Sequence, residues 1–251
     1  MKLELDAVTA GYGGTTVLRD ITVTVPAGRV VALLGPNGAG KSTMLAVASG
    51  LLAPTAGQVR LDGVDLTGRR PHRLAANGLC HVTESGSIFA ELTVAENLRM
   101  FARRSRETEA LERAIAAFPR LGERLGQTAG TLSGGEQRML ALARVYGQQP
   151  DVVLIDEISL GLAPMVVDEI FEFLARLAAE GTSLLVVEQY VEKVLGLADL
   201  VYVLVRGRIV FAGEPDELSH SDLLQRYLGT EADVIASGRN KSRRTRQRAR
   251  A

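Results

Sequence analysis

The sequence has little of what builds disulfide scaffolds and metal clusters. Cys80 is the only cysteine among the 251 residues, which excludes a disulfide framework and a cysteine-based zinc site. The three histidines, His72, His81 and His220, are too scattered along the chain to suggest a metal cluster. So low a cysteine content is typical of proteins from a reducing compartment.

Long apolar runs are missing as well. The longest stretch without a charged residue is 42–59, and Gly50, Pro54 and Gly57 interrupt it. A bilayer crossing needs about 20 mostly apolar residues. The N-terminal residues MKLELDAVTAGYGG carry acids and no apolar core, so we expect no secretory signal there. If the protein works at a membrane, a partner must supply the crossing.

Acidic residues are absent from the C-terminal end. All 29 of them precede Gly238, whereas seven of the 29 Lys and Arg residues follow it. Residues 1–237 are therefore acidic overall, which disfavours general nucleic-acid binding. We expect 238–251 to be a basic disordered tail. Contact of this tail with anionic lipid headgroups is the second interpretation, and nucleic-acid binding is the third.

The composition that is present, with 46% hydrophobic and 23% charged residues, is typical of a globular protein. Alternating apolar and polar residues in 2–8 and 17–25 predict antiparallel strands. Other apolar runs show little alternation, which predicts parallel strands that are buried on both faces. These runs are 30–34, 79–82, 152–155 and 184–187.

Helical patterns lie between these runs, at 43–52 and 166–178, and predict an α/β fold with a mostly parallel core sheet. The segment from about 85 to 145 has patterns that predict only helices, at 94–102, 108–118 and 134–146. We therefore expect one domain over 1–237 that contains a helical subdomain. Two late runs around Arg206-Gly207, 201–205 and 208–212, predict a β-hairpin.

The strongest motif is a glycine-rich loop between a predicted strand and a predicted helix. It is Gly35-Pro36-Asn37-Gly38-Ala39-Gly40-Lys41-Ser42-Thr43, which fits the phosphate-binding pattern G-x-x-x-x-G-K-S/T. Glycines let backbone N–H groups curl around phosphate oxygens, and the helix N-terminus adds free donors. Lys41 is expected to reach the β- and γ-phosphates of a nucleotide, and Ser42 to ligate Mg²⁺. An ordinary glycine-rich turn is the alternative.

Two adjacent acids, Asp156 and Glu157, follow the apolar run 152–155. They lie at the carboxyl end of a predicted parallel strand, where ligands bind in open sheets. Asp156 is expected to hold Mg²⁺ through water, and Glu157 to act as the general base that polarises the attacking water. Acids at a strand end are also common in turns, so this assignment depends on the glycine-rich loop.

A third motif is Leu132-Ser133-Gly134-Gly135-Glu136-Gln137. Ser133 and Glu136 have the spacing of a capping box at a helix start. A plain helix start does not need glycines, which disfavour a first turn compared with alanine. Their presence predicts close backbone approach to another phosphate.

With this motif the sequence resembles the nucleotide-binding subunits of ATP-binding cassette (ABC) transporters, over about residues 3–228. LSGGEQ matches the signature motif of that family, at the usual distance before the paired acids. The resemblance implies the P-loop NTPase fold of ABC ATPases, with an N-terminal antiparallel β subdomain and an inserted helical subdomain. It also implies ATP and Mg²⁺ as cofactors and a head-to-tail dimer that encloses two ATP molecules.

In such a dimer each ATP would contact Lys41 of one chain and the signature segment of the other. The cofactor-binding residues of that segment would be Ser133, Gly134, Gly135 and Glu136. Tyr12 stands where the family places an aromatic ring that stacks on adenine. The alternative for Tyr12 is an aromatic residue at a strand edge.

A closer resemblance is to the ATPases of branched-chain amino-acid importers, in the shorter of their two forms. The segments that carry it are 84–89, 92–98, 159–164 and 187–189. It implies a second ABC ATPase subunit in a homo- or heterodimer, two transmembrane permease subunits and, indirectly, a substrate-binding protein. It also implies a peripheral location at the cytoplasmic face of the membrane and no nucleic-acid partner.

Some residues depart from the general family pattern. Glu84 replaces the glutamine that contacts Mg²⁺ and the attacking water, so we expect it to be both catalytic and metal-binding. Gln189 replaces a catalytic histidine; its amide can donate to the γ-phosphate but cannot carry a proton. Both replacements resemble the branched-chain subfamily. Less typical are Ile158 in place of proline, and Ser85 and Ser87 in a stretch that is usually Gly-Arg-Arg.

The motifs together predict an ATP-hydrolysing subunit of an importer for branched-chain or related amino acids. One alternative is a nucleotide-binding partner subunit with weak turnover, which Glu84 and Gln189 motivate. The other is a soluble ABC switch protein that acts on ribosomes or DNA. The single cassette and the lack of sustained heptads disfavour this last class.

Overall fold

The computed structural model describes residues 1–83, 88–102 and 104–219. The predictions for Glu84, Ser85 and Ser87, for the basic tail, and for the boundary at 237 lie outside the described residues.

The strands follow one another along the chain and form two sheets. They are β1 Leu3–Tyr12, β2 Thr15–Val25, β3 Val30–Leu34, β4 Ala56–Leu61, β5 Val64–Asp65, β6 Leu79–Val82, β7 Val152–Asp156, β8 Ser183–Val187, β9 Leu200–Val205 and β10 Arg208–Gly213. The first sheet has the order β2-β1-β4-β5 and is antiparallel. The second has the order β10-β9-β3-β8-β7-β6, with β10 antiparallel at one edge and parallel pairing elsewhere. The predicted combination of a mostly parallel core sheet and an antiparallel N-terminal sheet is confirmed.

The helices connect and cover these strands. They are α1 Lys41–Ala48, α2 Pro71–Ala76, α3 Val94–Met100, α4 Glu107–Ala117, α5 Pro119–Gly122, α6 Gly134–Ala143, α7 Val145–Gln148, α8 Pro164–Ala179, α9 Val191–Leu197 and α10 Pro215–Ser219. Within the described ranges, no helix has both the length and the apolarity that a membrane crossing requires.

The strands β3, β7 and β8 are buried along their whole length. In β3, Val30, Ala32 and Leu34 belong to one hydrophobic core and Val31 and Leu33 to another, so both faces of the strand pack against apolar groups. This explains why its sequence is a continuous apolar run and does not alternate.

The described elements between β6 and β7 are all helical, as the pattern of 85–145 predicts. Their packing onto α8 is aromatic: the ring of Phe118 stacks on Phe173 at 5.0 Å, and Tyr146 meets Phe173 edge-on at 5.4 Å. The prediction of a single helix over 134–146 is wrong, because α6 and α7 are separate and meet at Arg144. The Arg144 guanidinium donates to the carbonyl oxygen of His81 in β6 at 3.2 Å, which joins this junction to the core sheet.

The prediction of a helix over 43–52 is also wrong at its ends, since α1 covers Lys41–Ala48. Gly50 lies beyond the helix with φ +76, and a Cβ there would lie 2.4 Å from the carbonyl oxygen of Arg69. A left-handed glycine of this kind is a common helix stop.

The turn at Arg206-Gly207 joins the two sheets. Its Gly207 N–H donates to the carbonyl oxygen of Ala39 at 2.9 Å, and its Gly207 carbonyl oxygen accepts from the N–H of Arg19 in β2 at 2.8 Å. Gly207 has φ +74, and a Cβ there would lie 1.8 Å from the carbonyl oxygen of Val17. The hairpin therefore fixes the antiparallel sheet beside the glycine-rich loop.

We predict that Gly207→Ala lowers the free energy of unfolding by at least about 1–3 kcal/mol, because it adds a steric clash to left-handed backbone strain. Urea titration at constant temperature measures this loss. Gly63→Ala is the matched control, since Gly63 has φ +81 and nothing within 4 Å of its added Cβ. Equal losses in the two variants would contradict the clash.

Candidate functional site

The glycine-rich loop links the end of β3 to the start of α1. A Cβ at Gly35 would lie 2.1 Å from the carbonyl oxygen of Leu204, and one at Gly40 would lie 2.9 Å from Cδ2 of Leu18. Gly38 has φ +77 and faces open space. The close approach of the Leu204 backbone therefore requires glycine at Gly35, whereas positive φ angles of +110 and +77 favour glycine at Gly40 and Gly38.

The start of α1 offers free hydrogen-bond donors. Gly40 occupies the cap position and provides no side-chain acceptor, and the first turn contains no acidic residue. The first N–H groups of a helix have no partner within the helix, and they carry partial positive charge. The loop and the helix start therefore form a site that fits a phosphate group.

Lys41 is buried and folds back onto its own loop. Its Nζ donates to the carbonyl oxygen of Gly35 at 3.0 Å and lies 3.4 Å from that of Pro36. It also forms an ion pair with Oε1 of Glu157 at 3.4 Å. The pair compensates two charges that are largely removed from water.

Ser42 and Asp156 bring two oxygen donors together. Asp156 is the last residue of β7 and is only 8% exposed. The Ser42 hydroxyl donates to Oδ1 of Asp156 at 3.3 Å. Mg²⁺ prefers hard oxygen ligands of these kinds, so the two residues fit the predicted metal.

Glu157 stands in a strained backbone position beside both Lys41 and Gln189. Its φ is +44, which is uncommon for a residue other than glycine, and its N–H donates to the carbonyl oxygen of Val187 at 2.9 Å. Nε2 of Gln189 donates to Oε2 of Glu157 at 3.2 Å. The Glu157 carboxylate therefore contacts the Lys41 ammonium group and the Gln189 amide. This contact lies at the carboxyl ends of the parallel strands β3, β7 and β8.

The signature segment opens α6 with the predicted capping box. The Glu136 carboxylate accepts from the N–H and the hydroxyl of Ser133, at 2.9 and 2.7 Å, and forms an ion pair with Arg124 at 2.8 Å. The hydrogen bond from the Ser133 hydroxyl is the main cause that holds the pKa of Glu136 below its usual range. Ser133 and Gly134 are exposed.

The two glycines of this segment serve different purposes. A Cβ at Gly135 would lie 3.2 Å from Cγ1 of Val166, so Gly135 lets α6 approach α8. A Cβ at Gly134 would meet nothing within 4 Å. Packing within the chain therefore explains why residue 135 is glycine. It does not explain Gly134, whose surface is open to contact with another molecule.

The described contacts bring together part of the predicted site. They join Lys41 and Ser42 of the loop to Asp156, Glu157 and Gln189. The hydrogen bonds described for Ser133 join it to Glu136. Tyr12 ends β1 and is 54% exposed. Glu84 lies outside the described residues.

No role was predicted for Glu188 and Ser159, which lie directly beside this cluster. Glu188 is 3% exposed and Ser159 fully buried, and the Glu188 carboxylate accepts hydrogen bonds from both the N–H and the hydroxyl of Ser159. The available signal was a charged residue directly after the apolar run 184–187, since a charged residue is seldom buried without a partner.

Comparison with known proteins gives one family and relatives from different transport systems. Residues 18–159 match the family described as ABC transporter. The chain is 41% identical over 211 residues to the high-affinity branched-chain amino acid transport ATP-binding protein BraG of Pseudomonas aeruginosa, covering 83% of this chain and 91% of that one. It is 32% identical over 238 residues to the lipopolysaccharide export system ATP-binding protein LptB of Acidithiobacillus ferridurans, covering 92% and 98% of the two chains.

A solved structure is similar as well. It is a crystal structure of the ADP conformation of an ATP-binding cassette of an ABC transporter. The TM-score is 0.77 and the identity 27%, over 90% of this chain and 98% of the other.

We predict that Glu136→Gln destabilises the protein at pH 7 by about 0.3–1 kcal/mol, the usual range for a carboxylate at a helix N-terminus. Because the pKa of Glu136 is lowered on folding, its stabilisation is complete above its ordinary pKa of 4.5 and is lost as the pH falls through the folded value. Urea titrations at pH 7 and pH 3 should therefore show a smaller difference between wild type and variant at pH 3. Glu172→Gln, an exposed change on α8, is the control; a difference that does not shrink at low pH would contradict the role of the charge.

Proposed function

This chain belongs to the ABC transporter family, and we propose that it is the ATP-hydrolysing subunit of an importer for branched-chain or related amino acids. The family makes it an ATP-binding subunit that hydrolyses ATP for a transporter. What we propose beyond this is that the transporter is an importer and that its cargo is a branched-chain or related amino acid. The observation that carries the catalytic part is the convergence of Lys41, Glu157 and Gln189 beside the Ser42–Asp156 pair.

The glycine-rich loop holds the β- and γ-phosphates of ATP. Its binding residues are Gly35, Pro36, Asn37, Gly38, Ala39, Gly40, Lys41, Ser42 and Thr43. Phosphate oxygens compete with the carbonyl oxygens of Gly35 and Pro36 for the Lys41 ammonium group. A phosphate oxygen wins this competition, because its negative charge adds an ion-pair attraction to the ammonium group that a neutral carbonyl oxygen lacks.

Ser42 and Asp156 hold Mg²⁺, with Glu84 as a further ligand. When bound, Mg²⁺ neutralises negative charge on the phosphates. Asp156 suits this role because β7 holds its carboxylate at a fixed position beside the hydroxyl of Ser42.

Glu157 takes the proton from the attacking water. Gln189 cannot accept that proton, since its amide has no titratable group, so it orients the Glu157 carboxylate through the 3.2 Å hydrogen bond. A positioned general base contributes about 10²–10⁴-fold to a rate. Glu84 supports the same water in this proposal.

A second ABC ATPase subunit completes the site. The start of α6 exposes Ser133 and Gly134, and Gly134 leaves space for a phosphate of the partner's ATP. The next signature residues, Gly135 and Glu136, are half-buried and support this exposed turn. Tyr12, 54% exposed, stacks on the adenine ring. The stacking of a base on an aromatic ring contributes about 1–3 kcal/mol.

The permease subunits bind at the surface where Phe89 and Met100 are exposed. Phe89 is 45% exposed and Met100 is 59% exposed, and Phe89 stacks on Phe101 at 5.9 Å. Exposed apolar groups that lie together mark interaction surfaces. The two permease subunits supply the membrane crossing, place this chain at the cytoplasmic face and receive cargo from a substrate-binding protein.

Two other functions have support of their own. The similarity to LptB favours lipopolysaccharide export, but at 32% identity against 41% for BraG. Gln189 in place of histidine favours a nucleotide-binding partner with weak turnover. The hydrogen bond from Gln189 to Glu157 favours an active site over this second alternative.

We predict that Glu157→Gln slows ATP hydrolysis at least about 100-fold, because it removes the proton acceptor. ATP binding should stay intact, because Lys41 exchanges its ion pair with Glu157 for phosphate oxygens when the nucleotide binds. Phosphate release at saturating ATP and Mg²⁺ measures turnover, and nucleotide titration measures binding. Glu172→Gln on the exposed face of α8 is the control. A wild-type rate well above background that Glu157→Gln leaves unchanged would show that Glu157 is not the base. A wild-type rate no higher than background would favour the weak-turnover partner.

We predict that cells lacking this chain lose uptake of labelled leucine and regain it with the wild-type chain, but not with Glu157→Gln. The permease partners that copurify with the tagged chain identify the transporter under test. Normal leucine uptake in the deletion strain, together with a loss of lipopolysaccharide at the cell surface, would favour the export function.

A further inference from the structure

Glu188 is a buried carboxylate that no step above uses. It follows the last residue of β8 and precedes Gln189, and only 3% of it is exposed. Burial raises the pKa of its carboxyl group. A group of this kind is unfavourable to bury unless its hydrogen-bonding capacity is met.

Three donors meet the Glu188 carboxylate. Oε1 accepts from the N–H of Ser159 at 3.1 Å, and Oε2 accepts from the Ser159 hydroxyl and from the N–H of Gln189 at 3.3 Å. Ser159 is itself fully buried. The carboxylate therefore joins the segment after β7 to the segment after β8.

These two segments carry the groups of the proposed reaction. Glu157 lies two residues before Ser159, and Gln189 follows Glu188 directly. Glu157 has φ +44, and an unusual backbone conformation persists only where the surrounding structure holds it. The hydrogen bond from its N–H to the carbonyl oxygen of Val187 holds the turn on one side. The hydrogen bond from the Ser159 N–H to the Glu188 carboxylate holds it on the other.

We propose that Glu188 is a positioning residue for ATP hydrolysis, which holds Ser159 so that the Glu157 carboxylate keeps its place toward the attacking water. The inference rests on the proposed function of Glu157 as the base. Misplacement of a reacting group by about 1 Å can lower a rate about 100-fold, so a support of this kind acts on catalysis.

The hydrogen-bonding chemistry of a carboxylate explains why residue 188 is a glutamate. Both of its oxygens accept, and together they receive three donors. A glutamine in the same place would direct its NH₂ group at a backbone N–H in either orientation, at Ser159 or at Gln189. Glu188→Gln therefore weakens the support, whereas Glu188→Ala removes it.

The test uses the full chain and four changes, Glu188→Ala, Glu188→Gln, Ser159→Ala and the control Glu192→Ala, each with and without Glu157→Gln. Glu192 is exposed and lies four residues after Glu188. We expect Glu188→Ala to lower kcat about tenfold or more and to change KM for ATP less than about twofold. Glu188→Gln and Ser159→Ala should have smaller effects in the same direction, and Glu192→Ala none.

Combination with Glu157→Gln separates positioning from general damage. When the base is absent, its position no longer matters, so the changes at 188 and 159 should cause no further loss of kcat. Equal fractional losses with and without Glu157 would overturn the inference. If Glu188→Ala does not fold, the same comparison with Ser159→Ala and Glu188→Gln gives the answer.

The two claims fail in different ways. If Glu157→Gln leaves turnover unchanged, the base assignment fails and this inference fails with it. If turnover depends on Glu157 but the changes at 188 and 159 leave kcat intact, this inference alone is overturned.

Discussion

The parallel pairing of β3, β8 and β7 is the constraint on which the rest of the structure depends. Ala32 pairs with Val186 and Asp156 pairs with Val187, so the three strands end at one edge of the sheet. The glycine-rich loop, the paired acids and Gln189 all follow these ends. A shift of one residue in this register would turn each side chain to the opposite face. The core that buries the strands therefore also aligns the catalytic groups.

The site at this edge balances its charges within the chain. The Lys41 ammonium group meets Glu157 at 3.4 Å, and the Ser42 hydroxyl meets Asp156 at 3.3 Å. In the proposed function, ATP binding exchanges the partners of Lys41 for phosphate oxygens. Glu157 would then keep its hydrogen bond with the amide of Gln189.

Element prediction succeeded where burial imposes a strong pattern. The run 30–34 coincides with β3, because a strand covered on both faces is continuously apolar. The strand β4 and the helices α2 and α9 were not predicted. The helix α2 buries only Leu74, and α9 buries only Val194. Neither helix therefore shows a helical repeat of apolar residues. β4 contains Gly57 and buries only Val59 and Leu61.

Residue patterns alone predicted the glycine-rich loop, the paired acids and the capping box, because each is a short contiguous motif whose spacing reflects local geometry. The tertiary structure alone decided which motifs meet. It brought Gln189 to Glu157 and Glu188 to Ser159, residues far apart in the chain that adjacent strand ends place in contact. It also decided that Gly135 serves the packing of α6 on α8, since a neighbouring helix cannot be read from a local pattern. Contacts between distant segments depend on strand order and register, which local residue patterns do not specify.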